Sequence, residues 1–178
     1  MFYSGGYPIT GLPDEFAAIG SGSVFDVIPI PVIIAAVIVV LGLFILKKTV
    51  LGKYIYAIGG NEDATRLSGI NVKAWKIGTY GIHGLLTAIA GIVMTARMNS
   101  GQPGAGSGIE LDIIAAVVIG GGSLSGGEGG VFGTLMGALV ITVLNNGLTL
   151  LDVNSNWQGL IIGFVILIAV FLDKRKRS

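Results

Sequence analysis

Cysteine is absent from the 178 residues, and histidine occurs once, at His83. A disulfide framework and a Cys/His metal cage are both excluded. A serine or metallo-hydrolase lacks its parts as well: there is no G-x-S-x-G and no H-E-x-x-H, and one His has no nucleophile or co-ligands placed around it by any motif. No catalytic residue and no metal ligand is assigned. Charge is scarce, with 11 basic and 10 acidic residues making up 12% of the chain. An ordinary soluble domain carries about 25%. The net charge of +1 provides no field that would gather nucleic acid. Residues 1–11 have no basic region followed by an apolar core, so no secretory signal is present there.

Apolar residues are plentiful: 52% of the chain, with a mean hydropathy of +0.83. Thirty glycines are present without a collagen period. A membrane-crossing helix needs about 20 mostly apolar residues. Uncharged stretches of that kind occupy 27–46, 77–96, 131–151 and 153–172. A fifth apolar run, within 109–120, is too short to cross as a regular span and leads into 120–130, which holds seven glycines. Such backbone survives at membrane depth only under protein cover or beside water. Lys47, Lys48, Lys53, Arg66, Lys73 and Lys76 cluster in 47–76, and Lys174, Arg175, Lys176 and Arg177 follow the last span. The positive-inside rule therefore puts 47–76 and the tail 173–178 in the cytoplasm. An even number of crossings must connect them, which requires 109–120 to cross as a shortened helix. Residues 1–26, with Asp14, Glu15 and Asp26 and no Lys or Arg, become an external loop, as does 97–108, whose one basic residue is Arg97. An external start without its own signal needs an earlier span to deliver it, so the chain is expected to be the C-terminal part of a longer protein or a truncated copy. The predicted fold is all-α: one polytopic transmembrane bundle with about five crossing elements, one of them short or broken.

Helices in lipid associate through close approach of small residues. Gly81, Gly84, Ala88, Gly91 and Thr95 follow one another at spacings of 3, 4, 3 and 4, one stripe of a helix. Gly133 and Gly137 form a GxxxG. Packing is the plain reading; such seams also let helices slide. Asn145 and Asn146 lie deep in 131–151, where an amide is costly unless paired. They either lock neighbouring helices or line a polar path, and Thr87 and Thr142 are further candidates for such a path. His83 reads as a packing histidine. No carboxylate lies in any full span, so a carrier driven by intramembrane acids finds no support.

Within 47–76, residues 61–70 read as a short capped helix. Asn61 is a good N-cap. Glu62 and Asp63 suit the positive end of the helix and Arg66 the negative end. Gly69 is a natural stop. Ala64, Leu67 and Ile70 share a side. Two turns have little stability alone, so this piece is either a surface turn or a knob that docks in a partner's cleft.

The run GKYIYAIGGNEDATRLSGINV (52–72) resembles the cytoplasmic loop of ABC-transporter permeases that import monosaccharides, the ribose/xylose/galactose permease family. GIELDIIAAVVIGGGSLSGGEGG (108–130), GTLMGALVITVLNNGL (133–148) and WQGLIIGFVILIAVFLD (157–173) extend the resemblance over nearly the whole chain, with ribose permeases the nearest. Members usually carry several more helices ahead of this chain's start. The resemblance implies a multi-pass subunit of the bacterial plasma (inner) membrane with its C-terminus cytoplasmic. It pairs with a second permease copy as a homodimer, with cytoplasmic ABC ATPase subunits, and with an extracytoplasmic sugar-binding protein. Gly60, Asn61, Glu62, Asp63, Ala64, Arg66, Leu67 and Gly69 would form the coupling helix seated in the ATPase. The chain itself would need no cofactor and be no enzyme, ATP being bound by the partner.

LSGGE at 124–128 is one residue from the ATPase signature LSGGQ. The phosphate loop G-x-x-x-x-G-K-[ST] is absent, so LSGGE reads as a tight turn. The terminal basic cluster beside an apolar span reads as an anchor on anionic lipid rather than a nucleic-acid site. Two alternatives stay open. The cargo is another small solute, such as a branched-chain amino acid, a nucleoside or an autoinducer sugar; or the chain is an inactive truncated remnant.

Overall fold

The computed structural model describes residues 5–177, and for 155, 156 and 172–177 it describes the backbone alone. The side chains of the basic cluster at 174–177 therefore lie outside the described residues. In chain order the elements begin with β1 (Ile9–Thr10), α1 (Asp14–Ser21), β2 (Ser23–Val24), β3 (Ile28–Pro29), α2 (Ile30–Lys48) and α3 (Val50–Gly60). There follow α4 (Glu62–Leu67), α5 (Val72–Met98), β4 (Ser100–Gly101), α6 (Ile109–Ile119), α7 (Val131–Leu150) and α8 (Ser155–Arg177). The architecture is helical, and among the described residues the strands form two two-residue antiparallel ladders, β1 on β4 and β2 on β3. It forms two compact units, Met1–Leu41 with Lys73–Ala105, and Gly42–Val72 with Gly106–Ser178.

α2, whose residues 30–41 belong to the first unit and 42–48 to the second, is aliphatic on every side and buries none of its residues. Pro31 sits in its first turn, where a missing N–H costs nothing, and Lys47 and Lys48 sit in its last, against the negative end of the helix. Residues 1–26, read from sequence as a loop, contain α1. Asp14 and Glu15 occupy its first turn, and Pro13 precedes it. Its Gly20 lies against the backbone of Ala96 and Arg97, so closely that a Cβ there would clash. β1 pairs Ile9 with Gly101 and Thr10 with Ser100, which ties the start of the chain to the segment after α5. The helix expected at 77–96 is longer: α5 begins at Val72. A boundary drawn where charge ends missed that Lys73 and Lys76 belong to the same helix.

The second unit is built around α6. Ala115, Ala116 and Val118 on it are buried, and Ala115 and Ala116 pack with Ile141 of α7 and Ile162 of α8. Small residues set the spacing. Gly133 meets the Gly120 carbonyl and Gly137 the Ala116 carbonyl, so α6 and α7 touch backbone to backbone.

Among the described residues, three helices, α2, α5 and α7, are long and apolar enough to cross a membrane, and α8 adds a shorter apolar stretch, Trp157–Phe171. α6, with 11 residues, extends about 16 Å, roughly half the thickness of a hydrocarbon layer. Phe44, Leu85, Val143 and Phe164 are more than half exposed on the outside of their helices. Apolar surface of this extent is stable in lipid and not in water.

Candidate functional site

α4 is the small helix expected at 61–70, reduced to six residues. Asn61 is its N-cap: the extended backbone there frees Oδ1 to accept the Ala64 amide at 2.8 Å. Arg66 reaches back to Glu62 at 3.1 Å and to Asp63 at 3.8 Å. These pairs are exposed, so each contributes a few tenths of a kcal/mol at most, about what helical i,i+4 pairs yield. Ser68 ends the helix, and Gly69, at φ +82°, takes the left-handed position after it, its amide donating to the Arg66 carbonyl at 3.0 Å. Thr65 is buried, its hydroxyl donating to the Asn61 carbonyl at 2.8 Å. Leu67 faces outward with 89% of its surface exposed, and Ala64 is exposed too. Ile70 lies past the helix end and is half-buried instead of completing the projecting side.

What holds α4 in place is α3, a helix within the stretch 47–76 expected as a loop. Thr49 caps it, accepting the Gly52 amide at 3.3 Å and donating to the Ile45 carbonyl at 2.7 Å. Gly52 lets α3 fold closely back on the backbone around Leu46 at the end of α2. The other end of α3 rests on the glycine-rich turn between α6 and α7. A Cβ at Gly59 would stand 2.5 Å from the Gly127 amide nitrogen. One at Gly126 would stand 2.7 Å from the Gly59 carbonyl oxygen, and one at Gly127 2.7 Å from the Gly60 Cα. One helical turn earlier, the Tyr56 hydroxyl donates to the Gly129 carbonyl at 2.9 Å. The LSGGE run is a tight turn. The Gly126 amide donates to the Ser123 carbonyl at 3.2 Å, and the Ser123 amide to the Glu128 carbonyl at 3.1 Å. Gly126 (φ +89°) and Gly127 (φ +76°) hold backbone conformations that suit glycine. Paired glycines in 59–60 and 126–127 were the visible signal for this contact, but nothing in a linear sequence says that two such pairs meet.

The proposed path residues are distributed between the units. Thr87 lies in the first unit, exposed, its hydroxyl donating to the His83 carbonyl at 2.9 Å. Thr142 in the second bonds the Ala138 carbonyl at 2.8 Å, and Asn146 is exposed. Asn145 is half-buried, its amide nitrogen donating to Asp112 Oδ2 at 3.0 Å across the α6–α7 contact. Its Oδ1 is buried and has no hydrogen-bond partner. Asp112 escaped the sequence search for acids because that search covered only full-length spans. Of the packing glycines, Gly133 and Gly137 meet α6, whereas a Cβ at Gly81, Gly84 or Gly91 would meet nothing outside its own helix backbone within 4 Å among the described residues. A groove of about 420 Å³ between the first half of α2 and the second half of α5 is lined by aliphatic side chains, with Met94 and Arg97 at the α5 end.

Apolar helices of membrane-spanning length and a small capped helix held on α3 characterise the structure. The chain belongs to the family described as branched-chain amino acid transport system / permease component, whose profile matches residues 3–170. It is 51% identical over 177 residues to a ribose import permease protein of Haemophilus influenzae, covering 97% of this chain and 54% of that one. A ribose import permease protein of Bacillus subtilis is 50% identical over 180 residues, covering 100% and 56%. The xylose transport system permease protein of Haemophilus influenzae is 48% identical over 168 residues, covering 92% and 45%. The chain thus spans about half the length of the curated relatives it matches. No solved structure matches it significantly.

Proposed function

We propose that the chain is part of the permease subunit of an ATP-driven importer of a monosaccharide, with ribose the first candidate, and that α4 is the knob through which a cytoplasmic ATPase moves it. The observation that carries this reading is α4 itself. A six-residue helix cannot stand alone, yet here it is capped at both ends, neutralised along its side and presented with Leu67 outward. An exposed leucine at the tip of a supported helix suits a hydrophobic cleft on a partner. Relatives named for ribose and xylose, at 48–51% identity, favour a pentose over the amino acids in the family's description.

In this reading α4 and the C-terminus face the cytoplasm, a second permease copy completes the pathway, and a sugar-binding protein docks on the other face. The chain contributes no ATP site and no cofactor of its own. ATP drives the change of access only because the ATPase dimer binds the two permease states with different free energies. Co-purification of the full-length permease with its cognate ATPase tests the knob. Leu67→Asp places a charge in the cleft and is expected to weaken the association at least about tenfold, since a charge loses more than about 1.4 kcal/mol in an apolar site. Undiminished association would falsify the assignment. A ligand screen of the cognate binding protein separates pentoses from amino acids.

A further inference from the structure

We infer that the contact between the end of α3 and the glycine-rich turn is the transmission of this permease: Gly59, Gly126 and Gly127, steadied by Tyr56, pass the movement of α4 into the α6–α7 pair. The inference rests on α4 being the ATPase knob and adds the route by which its motion enters the bundle.

Four observations support it. α4 follows directly on α3, with Asn61 serving at once as the end of one helix and the cap of the next. Gly59 then meets Gly126 and Gly127 backbone to backbone, with no room even for a methyl group. A contact of that kind has no side-chain rotamers to give way, so it passes a displacement on where a looser one would absorb it. The turn is joined to α6 at Gly120 and to α7 at Gly130, which precedes the first residue of α7. Finally, α6 and α7 are fixed to each other at both ends of their contact. Gly120 meets Gly133 beside the turn, and Asp112 bonds Asn145 at the other end. A push on the turn therefore moves the two helices together. The Tyr56–Gly129 hydrogen bond keeps the bracket in register.

The test uses the full-length permease with its ATPase in nanodiscs, reading the stimulation of ATP hydrolysis by the binding protein loaded with D-ribose. Gly59→Ala is compatible with its own helix, so the steric conflict arises at the turn. It is expected to keep the ATPase bound and to reduce the stimulation about tenfold, within the usual range of coupling between sites. Tyr56→Phe removes one hydroxyl and is expected to reduce it about threefold, the size of one hydrogen bond. Gly78→Ala, at a helical glycine with open space around it, is expected to behave as wild type. Wild-type stimulation in Gly59→Ala and Tyr56→Phe, with Leu67→Asp still losing the ATPase, overturns the transmission and leaves the knob standing. Retention of the ATPase by Leu67→Asp sinks the knob and the transmission together. If Gly59→Ala cannot be recovered from membranes, Tyr56→Phe decides alone, because losing a hydroxyl leaves the helix intact.

Discussion

Asp112 and Asn145 are separated by 33 positions in sequence and by one hydrogen bond in space. The bond explains how a carboxylate and an amide are tolerated among aliphatic neighbours: each satisfies part of the other. It leaves Asn145 Oδ1 buried without a donor, and this sets the sign of two substitutions. Asn145→Ala strips the carboxylate of its donor and is expected to cost about 1–3 kcal/mol of stability. Asp112→Asn keeps the shape and supplies an amide N–H for the orphaned oxygen, so it is expected to stay within about 1 kcal/mol of wild type or to gain. Thermal unfolding of the full-length permease in detergent compares the two; a larger loss in Asp112→Asn than in Asn145→Ala would contradict this account. The sequence places Asn145 in a span and makes it costly. The identity of its partner depends on how α6 and α7 pack, which residue types alone do not specify.

Among elements, glycine has two different meanings here. Gly137 touches the Ala116 carbonyl, while Gly81 has open space around it. Gly137→Ala is therefore expected to push α7 off α6 and to destabilise by about 1–3 kcal/mol, the usual cost of overpacking. Gly81→Ala is expected to be neutral, or stabilising by up to about 1 kcal/mol through helix propensity. The same detergent unfolding measurement reads both, and equal losses would mean that the two glycines are equivalent after all. Pattern alone had made them alike, since a small-residue stripe and a GxxxG carry the same signal. The short helix at 61–67 was more legible, because its cap and charges are local and act within one turn of chain. α3 was not read as a helix, although Leu51, Ile55 and Ile58 lie at helical spacing. The basic residues of 47–76 mark its side of the membrane and carry no signal of the helix within it.

For the molecule as a whole, the long apolar helices follow from composition alone: runs this apolar cannot be covered by so few charges. Boundaries set by charge were less secure, as the early start of α5 demonstrates. Sidedness is open to a direct measurement, helped by the absence of cysteine from these 178 residues. If 47–76 faces the cytoplasm as the positive-inside rule predicts, an impermeant maleimide applied to intact cells is expected to label Ser107→Cys readily and Ser68→Cys only after permeabilisation. The reverse pattern would turn the whole assignment over.

α7 is about 30 Å long and its neighbour α6 about 16 Å. Packed side by side, they cannot both reach both boundaries of a lipid layer. Under the proposed permease function, the apolar layer beside α6 is expected to be thinner than beside α7, which shortens the stretch a polar solute would cross without its hydration.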